Sequence, residues 1–316
     1  MRLEFLMCGS PTDAFWSQAA MFRVGLDALG GAYASARQAL CLGAPGEQSI
    51  PDRWRPWFER IEVQWTDEAE YRERGGHAQN SALYGMSDSS ADLSIICDAD
   101  TLLLRPLPDE FLERSTAAPA VSGVIAHYPP PLSAYPGTPV RSLAGADQLW
   151  DALSEEILGR PIVRPYGYTL LKGSVRAGER CPFYVNHGFI AGPPGSIAAL
   201  GDQVQQILPQ VRGILDNDFC YQLAIPYALE RAGIDHHVLP MRFNYPLDPV
   251  CDRLYPREVC DIRVAHYLRP ELFDRHRIFA ETEAFHRFMT LPLVESNEVF
   301  RDAVRRLTDG RFPFPE

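Results

Sequence analysis

The sequence predicts an α/β fold in which a mixed, mainly parallel sheet is flanked by helices. The main observation is that short apolar runs alternate with segments of helical periodicity over residues 1–128. Several of these runs are apolar on successive residues, as strands buried on both faces are. The composition agrees, because 46% hydrophobic and 22% charged residues in a chain of 316 are typical of a globular protein with a sizeable core.

Local patterns define each element of the first half. A strand at 2–8 leads into a helix at 13–31, whose apolar residues recur at helical spacing until a glycine pair ends it. Further apolar runs follow, separated by polar segments of turn composition. They predict strands at 32–43 and 60–66, a short helix at 77–87, and strands at 91–100 and 118–128.

A proline-rich stretch at 128–142 interrupts this pattern, since its composition excludes regular structure. A helix at 144–160 and an irregular or hairpin segment follow it. Regular structure then resumes, and Asp216 is a plausible cap for one of the later helices. The predicted elements are a strand at 182–192, helices at 193–211 and 216–233, short strands at 235–240 and 260–268, and helices beyond Pro270.

This order of elements predicts the domain organisation. The sheet is built from two parts of the chain, with an insertion between them and a helical C-terminal tail. The insertion and the tail match no readable motif, so binding specificity is expected to reside there. The predicted units are 1–128 and 182–270 as halves of one domain, 129–181 as the insertion, and 271–316 as the tail.

Charge and cysteine usage exclude several classes of protein. A formal net charge of −11 argues against nucleic acid as a partner, because no basic stripe is available to meet phosphates. Lys172 is the only lysine, and a bias toward arginine explains it as well as a function does. Seven scattered cysteines without a C-x-x-C pair fit reduced thiols and predict a cytoplasmic protein. No apolar run reaches 18 residues, so no transmembrane segment is expected.

Two aspartates carry the strongest signal for function. In "SIICDADTLLL", Asp98 and Asp100 directly follow an apolar strand. Carboxylate oxygens are hard ligands that suit Mg²⁺ or Mn²⁺. The carboxyl end of a parallel strand faces the crevice in which α/β folds bind ligands. A divalent cation held there can bridge the phosphates of a nucleotide, although such a pair also occurs where aspartates merely end a strand and cap a turn.

Aspartate-nucleophile phosphohydrolases also end a strand in D-x-D, but the surrounding sequence argues against them. Their pair opens the catalytic domain, whereas here a substantial α/β region precedes Asp98. They also need a downstream lysine and a late acidic pair. Lys172 is the only lysine, and "GDQVQQ" at Gly201 lacks the second acid.

Three later segments combine with the aspartate pair into one pattern. "FYVNHGFIAG" contains Asn186 and Gly188, and resembles a strand of the form "fNtGvi". "FCYQLAIPYALERAGIDHHVLPMRFNYP" resembles a "DQ-x-x-l" helix followed by a strand and an asparagine, and "IRVAHYLRP" resembles a late strand that ends in a histidine. In this order the four segments resemble the GT-A type glycosyltransferases, especially the glycogenin-like and lipopolysaccharide galactosyltransferase-like family (family 8 type). The resemblance covers most of residues 2–270, with 129–181 unmatched.

The resemblance implies a GT-A fold and a metal-dependent transfer of a sugar. Asp98 and Asp100 are the implied ligands of Mn²⁺ or Mg²⁺, with His266 as the third. The implied donor is a nucleotide-diphosphate sugar, with a UDP-sugar as the first choice. The acceptor, whether a glycan, a lipid or a small molecule, is not specified by the sequence, and neither is the oligomeric state.

The resemblance also implies where the donor is held. Its base and ribose would lie against the loop after the first strand, although a simple strand-to-helix turn explains the same residues. Basic and amide side chains before the metal strand and after His266 would meet phosphate or ribose, although "YRERGG" is also typical of a solvated helix face. The donor-binding candidates are Cys8, Gly9, Ser10, Arg72, Arg74, Gln79, Asp98 and Arg269.

Asn186, Asp218 and Gln222 are the implied residues of the sugar pocket and the candidates for catalysis. The family pattern is broken at one point, because Tyr221 stands where an aspartate is expected. Asp218, three residues earlier on a predicted helix, is a possible substitute carboxylate. The lysine and Pro-Trp that follow the family's histidine are also missing. Retention or inversion of the sugar configuration therefore stays open.

The leading hypothesis is a metal-dependent glycosyltransferase. One alternative is a non-catalytic nucleotide-sugar-binding relative, which the altered helix motif favours. The other is a metal-dependent nucleotidyltransferase or phosphohydrolase that uses the same aspartates.

Overall fold

The computed structural model describes residues 1–43, 48–74, 76–136, 143–171, 178–268 and 272–314, without the side chains of 73, 74 and 77. Lys172 lies outside the described residues. Within them, helices cover both faces of a central sheet of seven strands. The predicted α/β class with a mixed, mainly parallel sheet is therefore confirmed.

Most strands of the central sheet coincide with apolar runs of the sequence. In chain order the strands of the protein are β1 (Leu3–Gly9), β2 (Arg37–Leu42), β3 (Glu62–Trp65), β4 (Leu93–Ile96), β5 (Thr101–Leu103), β6 (Ala120–Ile125), β7 (Tyr166–Gly167), β8 (Arg180–Cys181), β9 (Val185–Gly192), β10 (Asp235–Val238) and β11 (Val264–His266). The central sheet has the order β10-β6-β9-β4-β1-β2-β3. Its pairs are parallel except those that β9 makes with β4 and β6. Most carboxyl ends of the strands thus meet at one edge.

The helices connect these strands and extend beyond the last one. They are α1 (Asp13–Leu29), α2 (Gly31–Ala34), α3 (Glu68–Arg74), α4 (Gly76–Gly85), α5 (Asp109–Ala117), α6 (Ala146–Leu158), α7 (Pro194–Ile214), α8 (Cys220–Ala232), α9 (Pro249–Leu254), α10 (Pro256–Val259), α11 (Thr282–Thr290) and α12 (Glu295–Thr308). Gly30 ends α1 with a φ of 69°, a conformation that suits glycine. In the described part of the chain, no helix combines the length and apolar character needed to cross a bilayer.

Two apolar layers sandwich the central sheet. Along β1, Phe5 and Met7 belong to one layer and Leu6 to the other, as the alternation of a strand requires. The first layer contains side chains of α1, α5, α11 and α12, and the second contains side chains of α4, α6, α7 and α8. Burial on both faces explains why the strands of this sheet are apolar on successive residues.

A small two-stranded sheet joins distant parts of the chain. β5 follows the aspartate pair directly and pairs antiparallel with β11, with His266 opposite Thr101. The Tyr267 N–H extends this pairing by donating to the carbonyl of Asp100 at 3.1 Å. This register, rather than any local signal, brings the end of β11 to the end of β4.

Two local predictions were wrong. The strand predicted at 32–43 begins only at Arg37, because Gly31–Ala34 forms a helical turn. Asp216 does not cap α8, which begins at Cys220 with Phe219 at its N-cap position. The Asp216 carboxylate instead pairs with Arg212, one turn earlier on α7, at 3.0 Å.

Candidate active site

A cleft of about 550 Å³ lies at the carboxyl ends of β1 and β4. Loops after these strands form its floor, and β9, the start of α8 and the segment after β11 form its walls. The side chains that line it and enter the argument below are Cys8, Gly9, Gln79, Asp98, Asp100, Asn186, His187, Asp218, Gln222, His266, Arg275 and His276.

Asp98, Asp100 and His266 form a cluster at the floor of this cleft. One ligand atom from each residue lies within 4.8 Å of the other two. The Nε2 atom of His266 is 3.2 Å from Asp100 Oδ1 and 3.5 Å from Asp98 Oδ2. Asp98 is the most accessible, with 37% of its side chain exposed, whereas His266 retains 4%. The cluster therefore opens toward the cleft on the Asp98 side.

A chain of amide groups fixes the orientation of His266. The N–H of Gly188 donates to Asn186 Oδ1 at 2.8 Å, and Asn244 Nδ2 donates to the same oxygen at 2.9 Å. The Oδ1 atom of Asn244 is then left as the acceptor for His266 Nδ1, at 3.0 Å. Because Nδ1 carries the proton, the neutral imidazole presents a lone pair on Nε2 to the carboxylates.

Gly188 has a steric role in this arrangement. A Cβ atom at this position would lie 2.5 Å from His266 Nδ1 and closer still to Asn244 Oδ1. No side chain fits between β9 and the His266–Asn244 pair. The glycine of the Asn186-His187-Gly188 motif is thus explained by the close approach of the imidazole.

Burial and charge oppose each other within the cluster. Withdrawal from water raises the pKa of Asp98 to about 6, in spite of the favourable charge of His266. Burial acts in the same direction on Asp100, but the His266 and Arg275 charges outweigh it and lower the pKa of that carboxyl. Burial would lower the pKa of His266, but the Asp100 charge and hydrogen bond raise it overall. In the absence of another cation, the cluster thus favours a protonated imidazole.

Arg275 completes the cluster and was not found by sequence reasoning. Its Nη1 atom donates to Asp100 Oδ2 at 2.6 Å and to the Leu268 carbonyl at 3.3 Å. Gln18 Nε2 in turn donates to the backbone carbonyl of Arg275 at 3.2 Å. The segment that carries Arg275 lies in the tail, outside every motif of the sequence, so no local signal identifies it.

The structure brings some of the predicted donor-binding residues together and leaves others apart. Cys8, Gly9 and Gln79 line the cleft. The Oε1 atom of Gln79 is buried without a hydrogen-bond partner. Ser10 does not line the cleft, and neither does Arg72, whose largely exposed side chain pairs with Glu68. Arg269 and the side chain of Arg74 lie outside the described residues.

The candidates for the sugar pocket lie on one wall. Asn186, Asp218 and Gln222 all line the cleft, and the hydroxyl of Tyr135 donates to Asp218. Asp218 lies in the turn before α8, one residue ahead of its N-cap, rather than on the helix itself. Tyr221 is buried away from the cleft, and its hydroxyl bonds to that of Ser81. The residue that replaces the expected aspartate therefore packs in the core.

His187 was given no role on sequence grounds, yet it lines the cleft between Asn186 and Gly188. Its Nε2 atom is 3.5 Å from the Tyr84 hydroxyl. Burial lowers the pKa of His187 to about 4, so its imidazole is neutral near pH 7.

The residues of the cluster fit a divalent cation. Two carboxylates and a neutral imidazole nitrogen are a donor set that Mn²⁺ accepts. The guanidinium of Arg275 on Asp100 Oδ2 shows that the cluster accommodates a positive charge beside it. The accessible edge of Asp98 leaves room for further ligands from the cleft.

Solved structures with the same fold are glycosyltransferases. The galactosyltransferase LgtC, solved with donor and acceptor sugar analogues, matches 100% of this chain over 98% of its own length, at 12% identity and a TM-score of 0.52. An LgtC variant with an active-site glutamine replaced by glutamate gives 12% identity and a TM-score of 0.50. The bifunctional glycosyltransferase WbbM matches 98% of this chain over 52% of its own length, at 10% identity and a TM-score of 0.53.

These likenesses establish the fold. Neither a family model nor a curated protein sequence matches the chain. The resemblance to GT-A glycosyltransferases that the sequence motifs predicted is thus confirmed for the architecture. The chemistry has to be argued from the site.

Proposed function

We propose that this protein is a metal-dependent glycosyltransferase that moves a sugar from a nucleotide-diphosphate donor to an acceptor hydroxyl. The observation that carries the proposal is the Asp98–Asp100–His266 cluster at the floor of the cleft. The cluster lies at the carboxyl ends of parallel strands, where α/β folds bind nucleotides. It also lies in a fold whose solved examples transfer sugars.

In this proposal, Asp98, Asp100 and His266 hold Mn²⁺ or Mg²⁺. The bound cation would supply neutralisation of the two phosphates and of the leaving diphosphate. His266 keeps its Nε2 lone pair directed at the site because Asn244 holds the other nitrogen. Asn186 supports that contact through Asn244, which gives it a positioning role in addition to lining the cleft.

The remaining wall would bind the two sugars. Gln222 lines the cleft, and LgtC also has a glutamine in its active site. Asp218 is the carboxylate nearest to an adjoining cavity of about 180 Å³, which Pro131 and Tyr135 also line. This arrangement supports Asp218 as a contact for the acceptor and the insertion 129–181 as the acceptor side of the cleft. Cys8, Gly9 and Gln79 remain the proposed contacts for the nucleoside.

The cytoplasm is the proposed location. All seven cysteines, each within the described residues, are free thiols, as a reducing compartment would keep them. UDP-sugars are the first donors to test, and the acceptor is left to a screen of glycans, lipids and small molecules.

The test is calorimetric titration of Mn²⁺, UDP and UDP-sugars, followed by a donor hydrolysis assay. We expect UDP to bind only weakly without Mn²⁺ and tightly with it, and UDP-sugar to be hydrolysed slowly when no acceptor is present. His266→Ala should abolish both effects. Asp52→Asn is the matched control, because this side chain is 91% exposed on the surface.

The outcomes separate the competing functions. Hydrolysis of simple phosphate esters without binding of nucleotide sugars would favour the phosphohydrolase instead. Donor binding with no turnover under any condition would favour the non-catalytic relative. Absence of both Mn²⁺ and nucleotide binding would overturn the proposal.

A further inference from the structure

Arg275 and His266 contact the two oxygens of one carboxylate, that of Asp100. The Nη1 atom of Arg275 is 2.6 Å from Asp100 Oδ2, while the Oδ1 atom of the same carboxylate faces His266. A charged hydrogen bond of this length is among the strong ones. Only 14% of the Asp100 side chain is exposed, so water replaces this partner poorly.

Arg275 is also the one arginine among the described residues that line the cleft. A diphosphate carries at least two negative charges into a chain whose formal net charge is −11. A guanidinium offers the planar fork that phosphate oxygens match best. The described cleft therefore offers a single arginine to two anions, the Asp100 carboxylate and an incoming diphosphate.

The backbone of Arg275 is fixed by neighbouring segments, whereas its side chain is held by polar contacts at the cleft. Gln18 holds its carbonyl, and the Ile278 N–H donates to the carbonyl of Asp274 at 3.1 Å. Besides Asp100 and the Leu268 carbonyl, the side chain contacts His276, whose Nε2 atom accepts from Arg275 Nε at 3.2 Å. The side chain is 31% exposed toward the cleft and has several rotatable bonds. A change of rotamer that breaks these contacts would carry the guanidinium further into the cleft.

We propose that Arg275 is an exchangeable counter-ion: it neutralises Asp100 while the site is empty, and it transfers to the donor diphosphate when a divalent cation neutralises Asp100 instead. This inference rests on the proposed function. It goes beyond the proposed function in two ways. It assigns two successive partners to Arg275, and it predicts that Arg275 weakens metal binding but strengthens nucleotide binding.

The opposite effects follow from what Arg275 loses and gains. A metal ion that binds alone brings a second positive charge to the carboxylate that Arg275 already neutralises, so the two cations repel each other and the arginine has no other anion to bind. When a diphosphate binds together with the metal ion, Arg275 has such an anion and bonds to phosphate instead. The arginine therefore weakens binding of the metal alone and strengthens binding of the nucleotide, so it increases the coupling between them.

Arg275→Ala separates these effects. Binding of Mn²⁺ alone, followed by the electron paramagnetic resonance signal of free Mn²⁺, should become tighter by about fivefold, the value of a partly exposed ion pair. Binding of UDP at saturating Mn²⁺, followed by calorimetry, should become weaker by about tenfold to thirtyfold, as for a lost hydrogen bond to a charged group. A residue that only supports the fold would weaken both.

Two further variants control the experiment. Arg277→Ala removes a nearby arginine whose side chain is 56% exposed and pairs with Glu281, so both affinities should stay at the wild-type value. Arg275→Lys keeps the positive charge without the planar fork. Its affinity for Mn²⁺ alone should therefore stay close to the low wild-type value, whereas its affinity for UDP should fall between those of the wild type and Arg275→Ala. If Arg275→Ala does not fold, Arg275→Gln provides the same comparison.

The results distinguish this inference from the proposed function. If the wild-type protein binds neither Mn²⁺ nor UDP, the proposed function fails and the inference fails with it. If the wild-type protein binds both, but loss of Arg275 changes the two affinities in the same direction or leaves them unchanged, the counter-ion role alone is wrong.

Discussion

The two ends of the central sheet hold buried carboxylates in opposite ways. At the amino ends of β1, β2 and β4, Glu4 is completely buried. It accepts hydrogen bonds from both serine hydroxyls, Ser87 and Ser94, from the N–H of Asp88, and from Arg37 at 2.8 Å. At the carboxyl end of β4, Asp98 has only the His266 imidazole as a partner among the described residues, at 3.5 Å.

The difference separates a structural charge from a functional one. A buried carboxylate is stable when donors replace the water it has lost, and Glu4 has four of them. Asp98 has too few hydrogen-bond donors and lies beside a second carboxylate, that of Asp100. Its negative charge is therefore unfavourable unless a cation binds between the two carboxylates. The same residue chemistry therefore stabilises the fold at one end of the sheet and prepares a binding site at the other.

The largest expected change in stability comes from Glu4, at the amino ends of the strands. Glu4→Ala should destabilise the protein by about 3–5 kcal/mol, because it leaves Arg37 and the two serines without their common acceptor. Urea unfolding followed by circular dichroism measures this change. Glu62→Ala removes the outer, half-exposed partner of Arg37 and should cost about 1 kcal/mol or less. Equal losses for the two variants would contradict the structural role of Glu4.

Loss of a carboxylate at the carboxyl end of β4 should affect metal binding rather than stability. Asp98→Asn removes a charge that repels Asp100, so the thermal midpoint should stay the same or rise. Affinity for Mn²⁺ should fall by about a hundredfold, since a ligand is lost rather than a supporting contact. Calorimetry and a thermal melt of the same variant check both parts. A stability loss as large as that of Glu4→Ala would mean that the two carboxylates do not differ in kind.

The fold could be predicted because its signals are local. Successive apolar residues mark the strands that are buried on both faces, and Gly30 marks the end of α1. The metal cluster was partly readable for the same reason, since Asp98 and Asp100 directly follow a strand and His266 ends one. What brings them together, the pairing of His266 with Thr101, has no local signal.

The rest of the site depends on tertiary contacts in the same way. Arg275 acts through a partner far away in the chain, so spacing does not reveal it. Asn244 is the asparagine of a matched segment, but its contact with His266 does not follow from that pattern. Arg72 appeared suitable for phosphate by charge, but its helix turns it to solvent beside Glu68. Tyr221 looked like a defect in a motif, whereas the structure places its ring in the second apolar layer.

A smaller effect is expected from the glycine behind the imidazole. Gly188→Ala forces the His266–Asn244 pair to shift, because an added Cβ has no space there. We expect a stability loss of about 1–3 kcal/mol and a tenfold to hundredfold loss of Mn²⁺ affinity, as for a disturbed supporting contact. Gly195→Ala, which meets nothing within 4 Å on α7, should change neither quantity. Retained metal affinity in Gly188→Ala would show that the orientation of His266 is not critical.

The last expected effect is the pH dependence of metal binding, and it tests directly whether the carboxylates at the carboxyl end of β4 lack hydrogen-bond donors. A metal ion needs Asp98 ionised and His266 neutral, yet the pKa of Asp98 is raised to about 6 and that of His266 is also raised. Affinity for Mn²⁺ should therefore increase with pH between 5.5 and 8, by about tenfold per unit for each proton released. His266→Gln should lower that slope by one proton. His187→Gln should leave it unchanged, because the pKa of His187 is about 4 and its imidazole is already neutral. If the Mn²⁺ affinity did not change with pH, Asp98 would, like Glu4, keep its negative charge without help from a metal ion.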